Sequence, residues 1–302
     1  MAAHLRLFRA TAAILAALAL SATALSGQAP ESASNADRGL IWRFEREGRT
    51  GWLVGSLHMM TPDFYPLPAS LTKAFESSDT LVEEIDMAEA NSPAFLATVL
   101  SKAMYPAGTT LSTQLSKETL DSLNASLARS GLAITPFQQM KPWMVALMLQ
   151  ALALQRLGFD PNLGLDRHFS VAAEKAGKPL VPLETGAEQI GFLDGLSART
   201  QDLMLRESIQ ATETELAEVR ALAAAWRAGD SATIERIAVS TVADAPEVYK
   251  VLLSDRNHRW IPKIEGCVEK RRCFIVVGAA HLVGPDGLVV LLRKRGYTLQ
   301  QQ

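Results

Sequence analysis

The sequence predicts an α/β fold, in which a β-rich core is built from both chain ends and a large helical insertion lies between them. Three observations predict it. Short apolar runs bounded by Gly, Pro and charged turns, the mark of strands, are concentrated near residues 40–86 and 273–300. Between them, roughly over residues 90–260, the apolar period is mostly helical. Each end also carries a Gly-x-x-His tetrapeptide directly after a strand, so the ends read as one strand-GxxH-helix-strand unit used twice.

The elements follow in order. Leu40-Ile41-Trp42-Arg43-Phe44 and Gly51-Trp52-Leu53-Val54 alternate and flank a charged Glu-Gly-Arg turn, which predicts a hairpin. After a loop punctuated by Pro62, Pro66 and Pro68, Leu71, Ala74 and Phe75 share one helical face, with Ser70 as the expected cap. Residues Thr80 to Asp86 read as a strand. The helical region from Ser92 to Arg259 breaks at Pro106-Ala107-Gly108, Gly131, Pro161 and Gly177-Lys178-Pro179, and Leu180-Val181-Pro182-Leu183 is its one expected strand. Trp143 to Leu157 is almost uniformly apolar, as a buried central helix would be. Cys273 to Val277 is a continuous apolar run, expected of a strand covered on both faces. A helix over Gly287 to Arg295 and a short strand over Tyr297 to Gln300 close the chain.

Composition excludes several classes of partner. The 302 residues are 48% hydrophobic and 21% charged, which is ordinary globular usage and enough chain to bury a core. Thirty basic residues against 32 acidic ones leave a net charge of −2, without the concentrated cationic surplus that phosphate backbones require. Aromatic residues, at 6%, are too sparse for base-stacking platforms. No nucleic-acid partner is expected. Two cysteines are too few for a disulfide scaffold or a Cys-rich zinc module.

The N-terminus reads as an export signal. Arg6 and Arg9 precede an uncharged apolar run from Ala10 to Leu25, and Ala22-Thr23-Ala24 offers the small-x-small pattern of signal peptidase. Residues 1–24 are therefore expected to be removed, residues 25–38 to be a flexible lead-in, and residues 39–302 to form the domain. The run is Ala-rich and short for a membrane span, and no Cys follows it to be lipidated. A periplasmic or secreted protein with no integral membrane segment in the mature chain is expected. Export would also place Cys267 and Cys273, six positions apart around Glu269-Lys270-Arg271-Arg272, where a disulfide can form.

The chemistry is concentrated at the two tetrapeptides, Gly55-Ser56-Leu57-His58 and Gly278-Ala279-Ala280-His281. Open α/β sheets bind ligands at strand C-termini. Gly55 and Gly278 there would let the chain turn away and let other groups approach. Two such loops on neighbouring strands would bring His58 and His281 together over one crevice. Of the carboxylates after the first unit, Glu84 and Asp86 share a strand face while Glu83 points to the other and reads as a solvated strand end. Glu84 beside two imidazoles could complete a divalent-metal site or act as general base. Arg256, in the polar run from Ser254 to Trp260, could hold a carboxylate or an oxyanion. Glu184 and Asp166-Arg167-His168 read as salt bridges or caps ahead of site groups.

Taken together, these segments resemble the TraB/GumN family, related to the animal Tiki proteins, and its bacterial GumN-like branch most. The resemblance runs through Gly55-Ser56-Leu57-His58, Glu84-Ile85-Asp86, Gly164-Leu165-Asp166, and Leu183-Glu184-Thr185 with Glu188-Gln189. It continues through Arg256-Asn257 with Trp260, Gly278 to Gly284, and Arg295-Gly296-Tyr297. The resemblance implies an α/β core with paired Gly-x-x-His motifs and a hydrolytic site. Tiki-type members are metal-dependent proteases supported by manganese or cobalt. By that resemblance His58, Glu84 and His281 would hold a metal or activate water, and Arg256 with Asn257 would orient the substrate.

The expected function is an exported, metal-dependent hydrolase acting on a peptide. Nitrogen and oxygen ligands without thiolate suit Mn, Co or Zn alike. Asp86 or Glu188 would be the proton-transferring carboxylate, and Glu184 and Glu188 would join Asn257 on the substrate. Two alternatives stand beside it. One is a non-catalytic periplasmic protein that binds a peptide, a metal or haem. The other is a metal-independent esterase in which His58 and Glu84 form an acid-base pair. Oligomeric state is left open.

Overall fold

The computed structural model describes residues 38–90, 92–209, 213–239 and 245–302. The expected signal peptide, and the lead-in up to residue 37, lie outside the described residues.

Six strands form one sheet, in the order β4-β3-β5-β2-β1-β6. They are β1 (Ile41–Arg46), β2 (Arg49–Ser56), β3 (Thr80–Glu83), β4 (Leu180–Pro182), β5 (Cys273–Gly278) and β6 (Thr298–Gln301). β1 and β2 are the predicted hairpin, paired from Ile41↔Val54 to Arg46↔Arg49. Its two-residue turn has Glu47 at φ 53° and Gly48 at φ 77°, the left-handed pair that matches the twist of adjoining strands. β2, β5, β3 and β4 run parallel. β5 lies between β2 and β3 with every residue buried, which is why its sequence is apolar without alternation.

The connections give the site its place. From β2 the chain passes through α1 (Ala69–Glu76) to β3, crossing β5. From β5 it passes through a last short helix to β6, crossing β2 and β1 in the other direction. Neighbouring parallel strands whose connections diverge leave a crevice at their C-terminal ends, where open α/β sheets bind ligands.

The insertion supplies α2 (Pro93–Ala103), α3 (Pro142–Arg156), α4 (Leu165–Ala176), α5 (Gly186–Asp194) and α6 (Asp255–Val268), with β4 among them; α7 (Leu288–Lys294) belongs to the second terminal unit. One sheet face is covered by α1 and α4, whose Phe75 and Phe169 pack on Phe274 of β5 at ring-centroid distances of 5.5 and 4.7 Å. Each such edge-on pair adds about 0.5–1.5 kcal/mol beyond area burial. The opposite face is covered by α6. A Cβ on Gly51 would lie 3.1 Å from Val268 Cγ1, so the glycine lets helix and sheet approach. A disulfide between Cys267 and Cys273 joins the end of α6 to the start of β5.

Several expectations change in detail. α1 begins at Ala69 behind Pro68, and Ser70 donates to the Arg38 carbonyl instead of capping. The last strand begins one residue late, at Thr298. α3 buries Trp143, Val145, Ala146 and Leu147 but leaves Met148 and Leu152 about 40% exposed, at 39% and 41%. Helices pack on only part of its surface, and a helix without charge in its middle hides which side is open. β3 stops at Glu83, so Glu84 and Asp86 do not share a strand face. Glu83 is not a solvated strand end: it is 2% exposed, because the sheet continues past it into β4 and α4 packs over β3. Among the described residues, no helix is long and apolar enough to cross a membrane.

Candidate functional site

The two motif loops leave adjacent parallel strands, with Ser56 opposite Gly278 in the register. Gly278 forms the floor of the site. A Cβ there would lie 3.2 Å from His58 Nε2, 3.3 Å from Glu84 Oε1 and 3.5 Å from His281 Cδ2. Groups from three separate parts of the chain thus converge on one small hollow that any side chain would fill. Gly55 serves packing instead, since its Cβ would strike Leu40 and come within 3.1 Å of Ala279 Cα. Neither glycine has positive φ. Close approach, not the expected sharp turn, is what both positions require.

Each imidazole is braced through Nδ1. His58 Nδ1 lies 2.7 Å from Asp166 Oδ2, in the first turn of α4. That turn reaches the loop because Leu165 N donates to Leu57 O, and because a Cβ on Gly164 would strike the His58 carbonyl. His281 follows β5 in a single 3₁₀ turn, Ala279–His281, and its Nδ1 lies 2.6 Å from Asn257 Oδ1. Asn257 Nδ2 donates to the carbonyls of His281 and Asp286, which fixes the amide's orientation. Its oxygen therefore faces the ring, Nδ1 carries the proton, and His281 Nε2 is an acceptor. Trp260 packs on the His281 ring at 4.4 Å.

Arg256, on α6 and 2% exposed, joins the carboxylates. Its Nη2 donates to Glu84 Oε2 and Glu184 Oε1, both at 2.5 Å. Nε donates to Glu184, and Nη1 donates to Leu252 O and His281 Nε2, each at 3.1 Å. All five of its N–H groups are thereby used. Glu84 is completed by the Gly278 N–H on Oε1 and Gln189 Nε2 on Oε2. Glu184 is completed by Trp260 Nε1 and the same Gln189.

The electrostatics follow from this wiring. Burial alone would push the Glu84 carboxyl up, but Arg256 first, with the charged His58 behind it, holds it down at about 2. Burial would push His58 down, but the Asp166 carboxylate overrides it and lifts the imidazole to about 9. His281 falls to about 3, through burial and then Arg256, and is neutral. Burial raises Glu184 despite Arg256. Burial, followed by Asp166, Asp86 and Glu84, raises Glu83 well above the carboxylate range.

His58, Glu84, Arg256, Asn257, Glu184 and His281 are thus gathered into one buried cluster around Gly278. Glu184 holds Arg256, and Asn257 orients His281. Glu188 stands apart: its carboxylate accepts from Thr185 N and Oγ1, closing a capping box on α5. Asp86 accepts from Ala88 N at the start of a short helix. Reading the sequence did not single out Asp166, Gln189 or Trp260 as parts of the site. Their signal was the segments that carry the family resemblance: Gly164-Leu165-Asp166 for Asp166, Glu188-Gln189 for Gln189, and Arg256-Asn257 with Trp260 for Trp260.

The residues fit a divalent cation in kind. Among the described residues, no three His, Cys, Asp or Glu side chains stand together closely enough to hold a metal ion. His281 Nε2 lies 3.9 Å from Glu84 Oε1 and accepts from Arg256. The donor set nevertheless comprises two imidazoles braced through Nδ1 and one carboxylate oxygen, beside a hollow kept open by glycine. Four buried carboxyl groups, Glu83, Glu84, Asp166 and Glu184, also outnumber the cations Arg256 and His58.

The sequence profile described as the TraB/PrgY/gumN family matches residues 40–301. A protein described as "Uncharacterized protein YbaP" from Shigella flexneri is 28% identical over 245 residues, covering 81% of this chain and 88% of the relative. One of the same description from Escherichia coli (strain K12) is 28% identical over 241 residues, covering 80% and 87%. No solved structure matches the chain.

Proposed function

The chain belongs to the TraB/PrgY/gumN family, and on that premise we propose that it is an exported hydrolase that cleaves peptides with a divalent cation held over Gly278. The observation that carries this reading is the convergence of His58 Nε2, Glu84 Oε1 and the His281 ring on the Gly278 hollow. Export is supported by the charged-then-apolar N-terminal sequence and by the Cys267–Cys273 disulfide.

In this reading His58, Glu84 and His281 would hold Mn, Co or Zn. Such an ion acidifies a water to near-neutral pKa and polarises a carbonyl. The protein does the rest by positioning. Asp166 turns the His58 ring so that its Nε2 faces the hollow, while Asn257 fixes His281 with Nε2 as an acceptor, which must exchange its Arg256 contact to take a ligand. Arg256 fixes Glu84 as a carboxylate, and its buried positive charge favours negative charge developing beside it. Because its N–H groups are committed, that influence is electrostatic unless one contact is exchanged for substrate.

The test is metal analysis of the purified mature protein, together with a peptide-library cleavage assay on it and on His58→Ala and His281→Ala in folded form. Bound divalent metal in the wild type, with metal and cleavage lost in both variants, is the expected result. Unchanged metal content and unchanged cleavage in both variants would refute the reading. One observation favours a metal-free variant, in which His58 and Glu84 act as an acid-base pair on an ester: Arg256 Nη1 already occupies His281 Nε2. Hydrolysis that survives exhaustive chelation selects that alternative.

A further inference from the structure

Ser56 lies between the motif glycine and the motif histidine, outside the hydrogen-bonded cluster. It is 1% exposed, and its Oγ has no hydrogen-bond partner. A buried hydroxyl left without a partner is destabilising, so such a group calls for a reason or an absent partner. Its direction narrows the choice. Ser56 and Gly278 are register partners on parallel strands, so their side-chain directions share one face of the sheet. On Gly278 that direction leads into the hollow faced by His58 Nε2 and Glu84 Oε1. Gly55, one residue earlier, points to the other face and meets Leu40. The unpartnered hydroxyl therefore lies on the same sheet face as the missing Cβ of Gly278, one strand away from the hollow that His58 Nε2 and Glu84 Oε1 face.

We propose that Ser56 is a further catalytic residue, whose O–H donates to the oxygen of the attacking water held in the Gly278 hollow. The inference rests on the hydrolase reading and deepens it. In the reaction the water oxygen bonds to the peptide carbonyl carbon and the C–N bond breaks. Both water protons end on the leaving amine, giving a carboxylate and an ammonium group. Ser56 keeps its own proton and forms no covalent bond. Glycine on one strand and serine on its neighbour divide the labour: one makes the room, the other holds what enters.

The experiment has two readouts. A crystal structure of the mature protein should contain an ordered water within hydrogen-bond reach of Ser56 Oγ, on the Gly278 side. A hydroxyl bonded to a protein carbonyl, with no such water, overturns the proposal whatever the activity. On a peptide that the wild type cleaves, Ser56→Ala should lower kcat on the order of 10²-fold, the cost of an ill-placed nucleophile. KM, metal content and melting temperature should stay near wild type, and Ser56→Thr, which keeps the hydroxyl, should recover most of the rate. An active wild type with undiminished Ser56→Ala overturns the role of Ser56 alone. A wild type inert toward every peptide with Mn, Co or Zn added overturns the hydrolase reading and this role with it.

Discussion

His58 Nδ1 and Asp166 Oδ2 lie 2.7 Å apart, on residues 108 positions distant in sequence, and this contact sets both the direction and the charge of the first motif imidazole. With Nδ1 committed to the carboxylate, Nε2 is left for the hollow. The same contact keeps the ring protonated up to about pH 9, against the pull of burial.

Asp166→Asn should uncouple these effects. In metal-free protein the His58 titration, followed by imidazole NMR, should fall from about 9 toward or below its ordinary value of 6.5, since burial and Arg256 are then opposed by Glu84 alone. The sign for stability follows from a folded pKa above the unfolded one. The wild-type contribution is complete below about pH 6.5 and is lost as pH rises through about 9. Urea unfolding should therefore show the variant weaker than wild type at pH 6, with the gap closing by pH 9.5. A gap independent of pH would mean that Asp166 acts through packing alone. Metal affinity or hydrolytic rate should fall about 10–100-fold, as when the outer partner of a ligating histidine is removed.

Much of this was legible beforehand, and the reason differs by residue. The strand before each Gly-x-x-His could be read because β5 and the β1–β2 hairpin carry their pattern locally, in apolar runs and turn residues. That the two loops adjoin follows from β2 and β5 being neighbours, which the repeated motif suggested and no local pattern could establish. Asp166 was harder, because a first-turn acid on a helix looks like a cap wherever its partner comes from a remote loop. Glu83 was misread for a related cause. A carboxylate at a strand end looks solvated unless one knows that β4 and α4 cover it.

The two motif glycines should respond differently to the same change. Gly278→Ala puts a methyl group 3.2 Å from His58 Nε2 and 3.3 Å from Glu84 Oε1. Ring and carboxylate must give way, so metal binding and activity should fall on the order of 10²-fold while the fold survives. Gly55→Ala instead drives a methyl group into Leu40 on the opposite face. That overpacking should cost about 1–3 kcal/mol of stability, read by thermal unfolding, with the site still competent in whatever fraction folds. Equal loss of activity per folded molecule in both variants would contradict the division of roles.

Glu83 offers the sharpest electrostatic test. Its carboxyl is buried, neither oxygen has a hydrogen-bond partner, and burial followed by Asp166, Asp86 and Glu84 holds its pKa well above 4.5. The folded protein therefore retains a proton that the unfolded chain loses once pH passes 4.5. Over that window the unfolded state binds fewer protons, so this group removes stability as pH rises, by about 1.4 kcal/mol per pH unit until the folded pKa is reached. Glu83→Gln keeps the shape and abolishes the titration. The variant should match wild type near pH 4 and exceed it at pH 7–8, by about 1 kcal/mol or more in urea unfolding. A bound cation beside Glu83 would reverse the outcome at neutral pH, because the ionised carboxylate would then be stabilising and its loss costly. Repeating the measurement with and without a chelator separates the two cases. If the advantage of Glu83→Gln appears only after chelation, the acid surplus of the cluster is balanced by metal; if it appears in both, Glu83 is a neutral acid in the resting protein.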